Sequence, residues 1–149
     1  MKENLIANIS YDFALKIIGL CRALSAKKEF IVSQQLLKSG TSIGANVEEA
    51  LSGQSRADFV AKMSIALKEA RECNYWLRLI RDSEMICQEE ISATFKESGS
   101  ILRILTSIIK TTKETIPKYR AIQLNRAIKK IAQLNSDIPK TTKSLIHNH

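Results

Sequence analysis

The stretch LLKSGTSIGANVEEAL, residues 36 to 51, has the glycines and hydroxyl groups of a phosphate-binding loop. Such a loop needs Gly-Lys-Ser/Thr directly after a strand, because the lysine must reach the phosphates and the hydroxyl the magnesium ion. Here Lys38 precedes Ser39 and Gly40, and the surrounding apolar residues keep a helical spacing of four and three. We therefore predict a helix, in which Gly40 and Gly44 let another helix pack closely.

Asn46 and the carboxylates after it lie on the same predicted helix. We expect the Asn46 amide to hydrogen-bond to a neighbouring helix or subunit, since a polar group beside a packing strip needs a partner. Four carboxylates fall on the two central predicted helices: Glu48, Glu49, Glu69 and Glu72. A two-metal site in a bundle also needs Glu-x-x-His pairs, whereas the histidines are His147 and His149, at the C-terminal end. We predict no metal and no cofactor, with the glutamates solvated or paired to basic neighbours.

The three cysteines, Cys21, Cys73 and Cys87, form no closely spaced pair, which favours a reduced, cytoplasmic setting. Cys21 and Cys73 occupy apolar positions of predicted helices, and no histidine in the body of the chain could activate a thiol. We expect no enzymatic activity and no small-molecule substrate. The sequence also lacks a run of 18 uncharged apolar residues, so no membrane span is predicted.

One predicted helix carries a surface that could bind nucleic acid. Lys68, Arg71, Tyr75 and Arg78 follow one another at helical spacing, so three cations and an aromatic ring share a face. Cations of this kind contact phosphates, and an aromatic ring can stack on a base. The alternative is an ordinary solvated charged face, because Glu72, Asp82 and Glu84 dilute the positive field.

The net charge of +8 is concentrated near the C-terminal end. Residues 116 to 149 hold seven Lys and Arg against one acid, whereas the first 115 residues carry a net charge of +2. Strong local positive charge favours nucleic acid or an anionic membrane surface. We take RNA or DNA as the expected partner, with no membrane, and Arg126, Lys129 and Lys130 as further phosphate contacts.

Apolar residues recur at alternating intervals of four and three in four segments, which predicts four amphipathic helices. The four series are Phe13, Ile17, Leu20 and Leu24; Val32, Leu36, Ile43, Val47 and Ala50; Phe59, Met63, Ala66, Ala70, Cys73, Leu77 and Ile80; and Ile91, Phe95, Ser98, Leu102, Leu105 and Ile109. Ser55 begins the third as a predicted helix cap, with its hydroxyl accepting a backbone N–H.

These segments predict an all-α fold, an antiparallel up-and-down four-helix bundle over residues 1 to 115. Residues 116 to 149 form a basic tail, for which we expect one short helix followed by a disordered end. The third and fourth helices carry more apolar surface than one stripe: Trp76, Leu79, Ile101, Ile104 and Ile108. This surplus indicates either a wide core or contacts between subunits.

Residues 36 to 80 resemble a family of small bacterial proteins encoded in intervening sequences of 23S rRNA genes, also called S23 ribosomal proteins. The motif residues are Ser42, Ile43, Asn46, Val47, Glu48 and Glu49, followed by Phe59, Ala66, Glu69, Ala70, Trp76 and Leu77. The resemblance extends more loosely over residues 10 to 114, so the tail lies outside it.

The resemblance implies a four-helix bundle that assembles into a ring, with five subunits the favoured form. Related proteins include the accessory factor of diversity-generating retroelements, a basic pentamer that binds nucleic acid and a reverse transcriptase. No enzymatic activity is established for the family. The nearly neutral body of this chain departs from that strongly basic relative.

Two functions are compatible with these features. The first is a non-enzymatic, cytoplasmic homo-oligomer that binds RNA or DNA or acts as a scaffold, with phosphate contacts from the third helix and the tail. The second is a protein-interaction module whose apolar helix faces bind a partner, such as a reverse transcriptase, without contacting nucleic acid.

Overall fold

The computed structural model describes residues 4 to 136, and this part of the chain is all-α, with five helices and no strand. The helices are α1 (Leu5–Ala26), α2 (Phe30–Leu51), α3 (Arg56–Asp82), α4 (Gln88–Glu114) and α5 (Pro117–Ser136). Residues up to Thr112 form one compact unit, and the chain from Lys113 onward forms a second.

The predicted apolar series supply most of the core of the first unit. Phe13, Leu36, Met63, Leu77 and Leu105 are among the largest side chains that are fully buried. Four predicted seam residues are only half-buried, and their neighbours are buried instead: Ser33 for Val32, Val60 for Phe59, Thr94 for Phe95 and Ile101 for Leu102. In α4, positions 91, 98 and 105 stay buried, so the seven-residue repeat holds and the buried stripe is only turned slightly by the way the helix faces its neighbours.

This shift corrects one predicted interface residue. Ile101 has no exposed surface and belongs to the core of its own subunit. The nearby Ile104 and Ile108 remain half-buried.

Close packing of α2 rests on its small residues. Its Cα atoms come within 8 Å of those of α1 and of α3. A Cβ atom at Gly40 would lie 2.8 Å from Cγ1 and Cγ2 of Ile17 in α1, so only glycine fits here without a shift. Further along, Ser33 Oγ donates to the Cys21 carbonyl at 3.0 Å and Cys21 Sγ donates to the Ser33 carbonyl at 3.3 Å.

Side-chain contacts join α4 to α3 and α1. Asn74 Nδ2 of α3 donates to Ser98 Oγ at 2.6 Å, and the Arg81 guanidinium lies 4.3 Å from the centre of the Phe95 ring. On the other side of α4, Glu97 accepts a hydrogen bond of 2.7 Å from Lys16 of α1. The register of α4 is therefore set by polar and cation–π contacts as well as by apolar packing.

The helix ends are formed by local backbone and side-chain hydrogen bonds. The predicted cap is confirmed, since Ser55 Oγ accepts from the Asp58 N–H at 3.1 Å. Two other ends were not predicted. Lys28 after α1 and Glu84 after α3 both have positive φ, 65° and 55°, and each lies in a double hydrogen-bonded turn of the Schellman type.

In the second unit, α5 begins at Pro117, a residue suited to the first helical position because it has no N–H to satisfy. The helix is 20 residues long. Lys113 Nζ lies 5.5 Å from the centre of the Tyr119 ring at its start. The disordered end expected after it, including His147 and His149, lies outside the described residues. No helix of the described part is long and apolar enough to cross a membrane.

Candidate functional site

The motif segment of α2 divides into a buried and an exposed side. Gly40 and Ile43 are buried against neighbouring helices, and Ser42, Gly44 and Asn46 are half-buried. Within the subunit, the expectation that the Asn46 amide hydrogen-bonds to another helix is wrong. Asn46 Nδ2 donates to the Ser42 carbonyl of its own helix at 2.8 Å, since that oxygen lies one turn back.

The two motif glutamates face different surroundings, although both are exposed. Glu49 pairs with Lys62 of α3, and this carboxylate raises the pKa of the Lys62 ammonium. Glu48 lies at the rim of a shallow cleft of about 150 Å³ between α1 and α2. The cleft is lined by Ala7, Ser10, Tyr11, Ala14, Thr41, Gly44, Ala45 and Glu48.

Small side chains on both helices open this cleft, which the sequence reasoning did not identify. One feature of the sequence could have indicated the cleft: Ala7 and Ala14 are seven residues apart in α1. In the structure they line the cleft together with Gly44 and Ala45 of α2. Two turns separate residues seven apart, so both alanines lie on one face. The Ser10 and Thr41 hydroxyls donate to backbone carbonyls of their own helices, and Glu48 is the one carboxylate in the lining. The cleft fits contact with a side chain or a helix.

The cysteines are arranged as structural residues. Burial raises the pKa of the Cys73 thiol to about 12, and burial likewise raises the pKa of Cys21. Both thiols therefore remain protonated and unreactive near neutral pH. Cys87 is exposed. Among the described residues, no three His, Cys, Asp or Glu side chains lie close enough together to hold a metal ion.

The predicted cationic set on α3 does form one surface, which we call the α3 cationic face: Lys68, Arg71, Tyr75 and Arg78. All four side chains are exposed, and Tyr75 keeps 46% of its surface accessible. The Arg78 guanidinium carbon lies 5.9 Å from the centre of the Tyr75 ring. The Trp76 ring meets Tyr75 edge-on, with 5.3 Å between the ring centres. The face thus places an aromatic ring between cations.

Neighbouring acids are bound to other groups. Glu72 accepts a long hydrogen bond of 3.4 Å from Trp76 Nε1, and Asp82 pairs with Arg81 Nε at 2.8 Å. The Arg81 guanidinium lowers the pKa of Asp82. Within the described residues, none of the three cations of the α3 cationic face forms a salt bridge. Arg78 lies close enough to Asp82 to contribute to the lowered pKa of that carboxyl. The three cations nevertheless have no salt-bridge partner among the described residues and can contact an anionic ligand.

The remaining apolar interface candidates lie on two different flanks of the first unit. Trp76 follows Lys62 by 14 residues, about four turns, and Lys62 pairs with Glu49 of α2, so Trp76 borders the α2–α3 groove. Leu79 follows Trp76 by three residues and lies beside it on the outer side of this flank. Ile104 comes seven residues after Glu97, which pairs with Lys16, so Ile104 and Ile108 border the α1–α4 groove. The structure does not bring these two pairs together.

The tail candidates lie in the second unit. Arg126, Lys129 and Lys130 are exposed on α5 and share its polar side. The α3 cationic face and the α5 cations thus belong to separate units of the chain.

The helical fold is consistent with a family relationship. The family model described as 23S rRNA-intervening sequence protein matches residues 2–107. The chain belongs to this family. Its matched region includes α1 to α3 and most of α4 and ends before α5. A comparison with curated proteins gives no match.

A solved relative supports the assignment to the 23S rRNA-intervening sequence family. It is a Bacteroides thetaiotaomicron protein of unknown function from the S23 ribosomal protein family, 47% identical in sequence. The alignment covers 71% of this chain and 99% of the relative, with a TM-score of 0.69. The relative is thus matched over nearly its whole length, while part of this chain has no counterpart in it.

Proposed function

We propose that this member of the 23S rRNA-intervening sequence family is a non-enzymatic, cytoplasmic, oligomeric scaffold that binds RNA. The observation that carries the proposal is the α3 cationic face, whose three cations have no carboxylate partner among the described residues. Phosphate contacts supply affinity without sequence preference, and Tyr75 is exposed enough to stack on an unpaired base. The exposed cations of α5 add a second basic surface.

The scaffold we propose is an antiparallel up-and-down bundle of α1 to α4. Four contacts across three pairs of helices support this arrangement. Residue 17 meets residue 40 while residue 21 meets residue 33, so contacts move backward along α2 as they advance along α1. The pairs Glu49–Lys62 and Asn74–Ser98, each between consecutive helices with short connections, fit the same reversal of direction.

We further propose a closed ring of these bundles, with five subunits as the favoured number. A ring needs a head-to-tail contact, in which one flank of a subunit binds a different flank of the next. The two apolar pairs border different grooves, Trp76 and Leu79 near α2–α3 and Ile104 and Ile108 near α1–α4, which is the distribution such a contact requires.

RNA titration across a salt series tests the proposed binding. We compare the wild-type chain with the double variant Arg71→Gln/Arg78→Gln and with a matched control, Arg22→Gln/Lys38→Gln, which removes two exposed cations from α1 and α2. Loss of two phosphate contacts should weaken binding at every salt concentration and lower the slope of log K against log salt by about 1.4 to 1.8 for single- and double-stranded RNA. The control should retain both affinity and slope.

Equal loss in the two double variants would show that net charge, rather than the α3 cationic face, controls binding. A third variant, Tyr75→Ala, should reduce affinity for single-stranded RNA more than for duplex, because only unpaired bases can stack on the ring.

Removal of residues 116 to 149 measures the contribution of the tail, which we expect to be additive with that of α3.

A second candidate function is binding of a protein partner without nucleic acid. It is favoured by Leu79, 39% exposed, and by the small-residue cleft between α1 and α2, which could accept a helix. Purification from the native host separates the two functions. A stoichiometric protein partner with a low 260/280 absorbance ratio would support this candidate, and co-purified RNA would support the first.

A further inference from the structure

Helix α5 has an apolar face without a partner in the described part of the chain. Leu124, Ile128, Ile131 and Leu134 are 62%, 55%, 58% and 58% exposed. Their spacing of four, three and three places them along one side of the helix. In proteins most of the stability of a helix comes from packing of its apolar face. We therefore expect a binding partner that covers these side chains.

The charges on the polar face of α5 indicate which kind of partner can bind it. The helix contains five cations and no acid: Lys118, Arg120, Arg126, Lys129 and Lys130. At 100° per residue, Lys118, Arg126 and Lys129 lie opposite the apolar face. Lys130 lies at its edge, and Arg120 lies within it near the start of the helix. No charge on the helix itself neutralises them, so an anionic partner is favoured. Because the family match ends at residue 107, this feature is additional to the family fold.

Three partners can be compared against both faces. Nucleic acid would neutralise the cations and leave four apolar side chains in water. A second copy of α5 would cover the apolar side chains and bring five more cations close to the first five. A bilayer containing anionic lipid satisfies both faces together, because its acyl region accepts the apolar side and its headgroups neutralise the lysines and arginines.

We propose that α5 is an anchor that lies in the surface of an anionic lipid bilayer, with its axis parallel to the membrane plane. The helix does not span the bilayer, since no described helix is apolar enough for that. It has the features of an interfacial helix, namely a wide apolar face, a cationic face and modest overall hydrophobicity. The proposal is independent of RNA binding by α3. It replaces the expectation from the sequence that the tail has no membrane partner.

Vesicle flotation with the full chain tests the anchor. We use vesicles of phosphatidylcholine alone and vesicles in which about a third of the lipid is the anionic phosphatidylglycerol, whose headgroups attract lysines and arginines. Wild-type protein should float with the anionic vesicles and bind those of phosphatidylcholine at least about tenfold more weakly. Binding should fall at high salt, since the headgroup attraction is screened.

Two variants separate the faces of α5. Leu124→Gln/Ile128→Gln/Ile131→Gln removes most of the apolar face and should reduce flotation at least about tenfold, with cations unchanged. Lys129→Gln/Lys130→Gln should reduce the preference for phosphatidylglycerol. The matched control, Leu15→Gln/Ile31→Gln, changes two exposed apolar residues of the first unit, 52% and 78% exposed, and should bind vesicles like the wild type.

The same variants distinguish the anchor from the two alternatives, in which a second copy of the chain or RNA covers the apolar face of α5. Flotation that is unchanged in the triple variant would overturn the anchor. A triple variant with wild-type flotation and a smaller mass by light scattering would assign the apolar face to a second copy of the chain. If the triple variant loses RNA affinity as strongly as it loses flotation, the face acts in RNA binding and the anchor is overturned. Loss of flotation with RNA affinity retained supports it, whether or not α3 binds RNA.

Discussion

Four glycines lie inside the described helices, and three of them, in α1 and α2, have clearly different surroundings. A Cβ atom at Gly40 would lie 2.8 Å from two carbon atoms of the buried Ile17 side chain, at Gly44 it would make ordinary contact with Ser10 at 3.6 Å, and at Gly19 it would meet nothing within 4 Å. In an exposed helix interior, alanine is about 1 kcal/mol more favourable than glycine. The surroundings therefore decide the sign of each substitution.

We predict that Gly40→Ala lowers the free energy of unfolding by about 1 to 3 kcal/mol, because the β-branched Ile17 has little freedom to move. Gly19→Ala should raise it by up to about 1 kcal/mol, and Gly44→Ala should fall between the two. Urea denaturation of the three variants measures the difference. A stabilising Gly40→Ala would show that α1 and α2 pack less closely than the structure has them.

Burial of Cys73 predicts a loss of stability at alkaline pH. The pKa of this thiol is about 12 in the folded chain and close to 9.0 when exposed, so the folded state holds the proton more tightly. Its contribution to stability is therefore complete below pH 9 and is lost as the pH rises toward 12.

Unfolding free energies between pH 8 and 10.5 test this expectation. The decline with pH should be shallower in Cys73→Ala than in the wild type, whereas Cys87→Ala, at an exposed position, should follow the wild-type slope. Thiol alkylation gives an independent readout, in which Cys87 reacts in the native protein while Cys21 and Cys73 react at the rate of unfolding. Identical slopes in both variants would contradict the assignment.

The ends of α1 and α3 offer a stabilising change. Lys28 and Glu84 hold the left-handed conformation, φ 65° and 55°, that glycine adopts at little cost and other residues adopt with strain. We predict that Lys28→Gly and Glu84→Gly each raise the free energy of unfolding by about 0.5 to 1 kcal/mol. Thermal denaturation measures the gain, with Lys27→Gly as the control, since Lys27 has φ −89° and should gain nothing.

The sequence predicted four helices and most of their buried faces because apolar spacing is a property of each segment alone. Ser39, Gly40 and Ile43 could be placed on a helix from spacing, and all three are buried. The left-handed helix ends at Lys28 and Glu84 could not be predicted from the sequence, since neither residue type is typical of that conformation. The sequence predicted Leu102 in the core, but Ile101 is buried instead. Which of the two is buried depends on the orientation of α4 about its axis, and contacts of Asn74 with Ser98 and of Arg81 with Phe95 help to set that orientation.

The candidate surfaces were predictable to a different extent. Lys68, Arg71 and Arg78 share a face in the structure as their spacing predicts, because one helix carries them all. Their lack of carboxylate partners became apparent only when Glu72 and Asp82 were found bound to Trp76 and Arg81. The cleft between α1 and α2 could not be predicted, because its position depends on how the two helices pack against each other, which a single sequence does not specify.

For the whole molecule, the proposed ring makes a specific prediction about mixtures. Leu79→Glu introduces a charge on the flank beside the α2–α3 groove, and Ile104→Glu does so beside the α1–α4 groove. In a head-to-tail assembly every subunit uses both flanks, so either variant alone should fail to close a ring and should have a mass near the 16.7 kDa of one chain.

An equimolar mixture of the two variants should behave differently. Each variant keeps the flank that the other has lost, so one Leu79→Glu subunit can bind one Ile104→Glu subunit, and the charged flanks at the two ends stop further growth. Light scattering should therefore give a species of about two chains, and circular dichroism of each variant should confirm that its helices are intact. A face-to-face dimer would behave in the opposite way, because the contact uses the same flank twice: one variant would remain fully associated by itself, and mixing would form no new species.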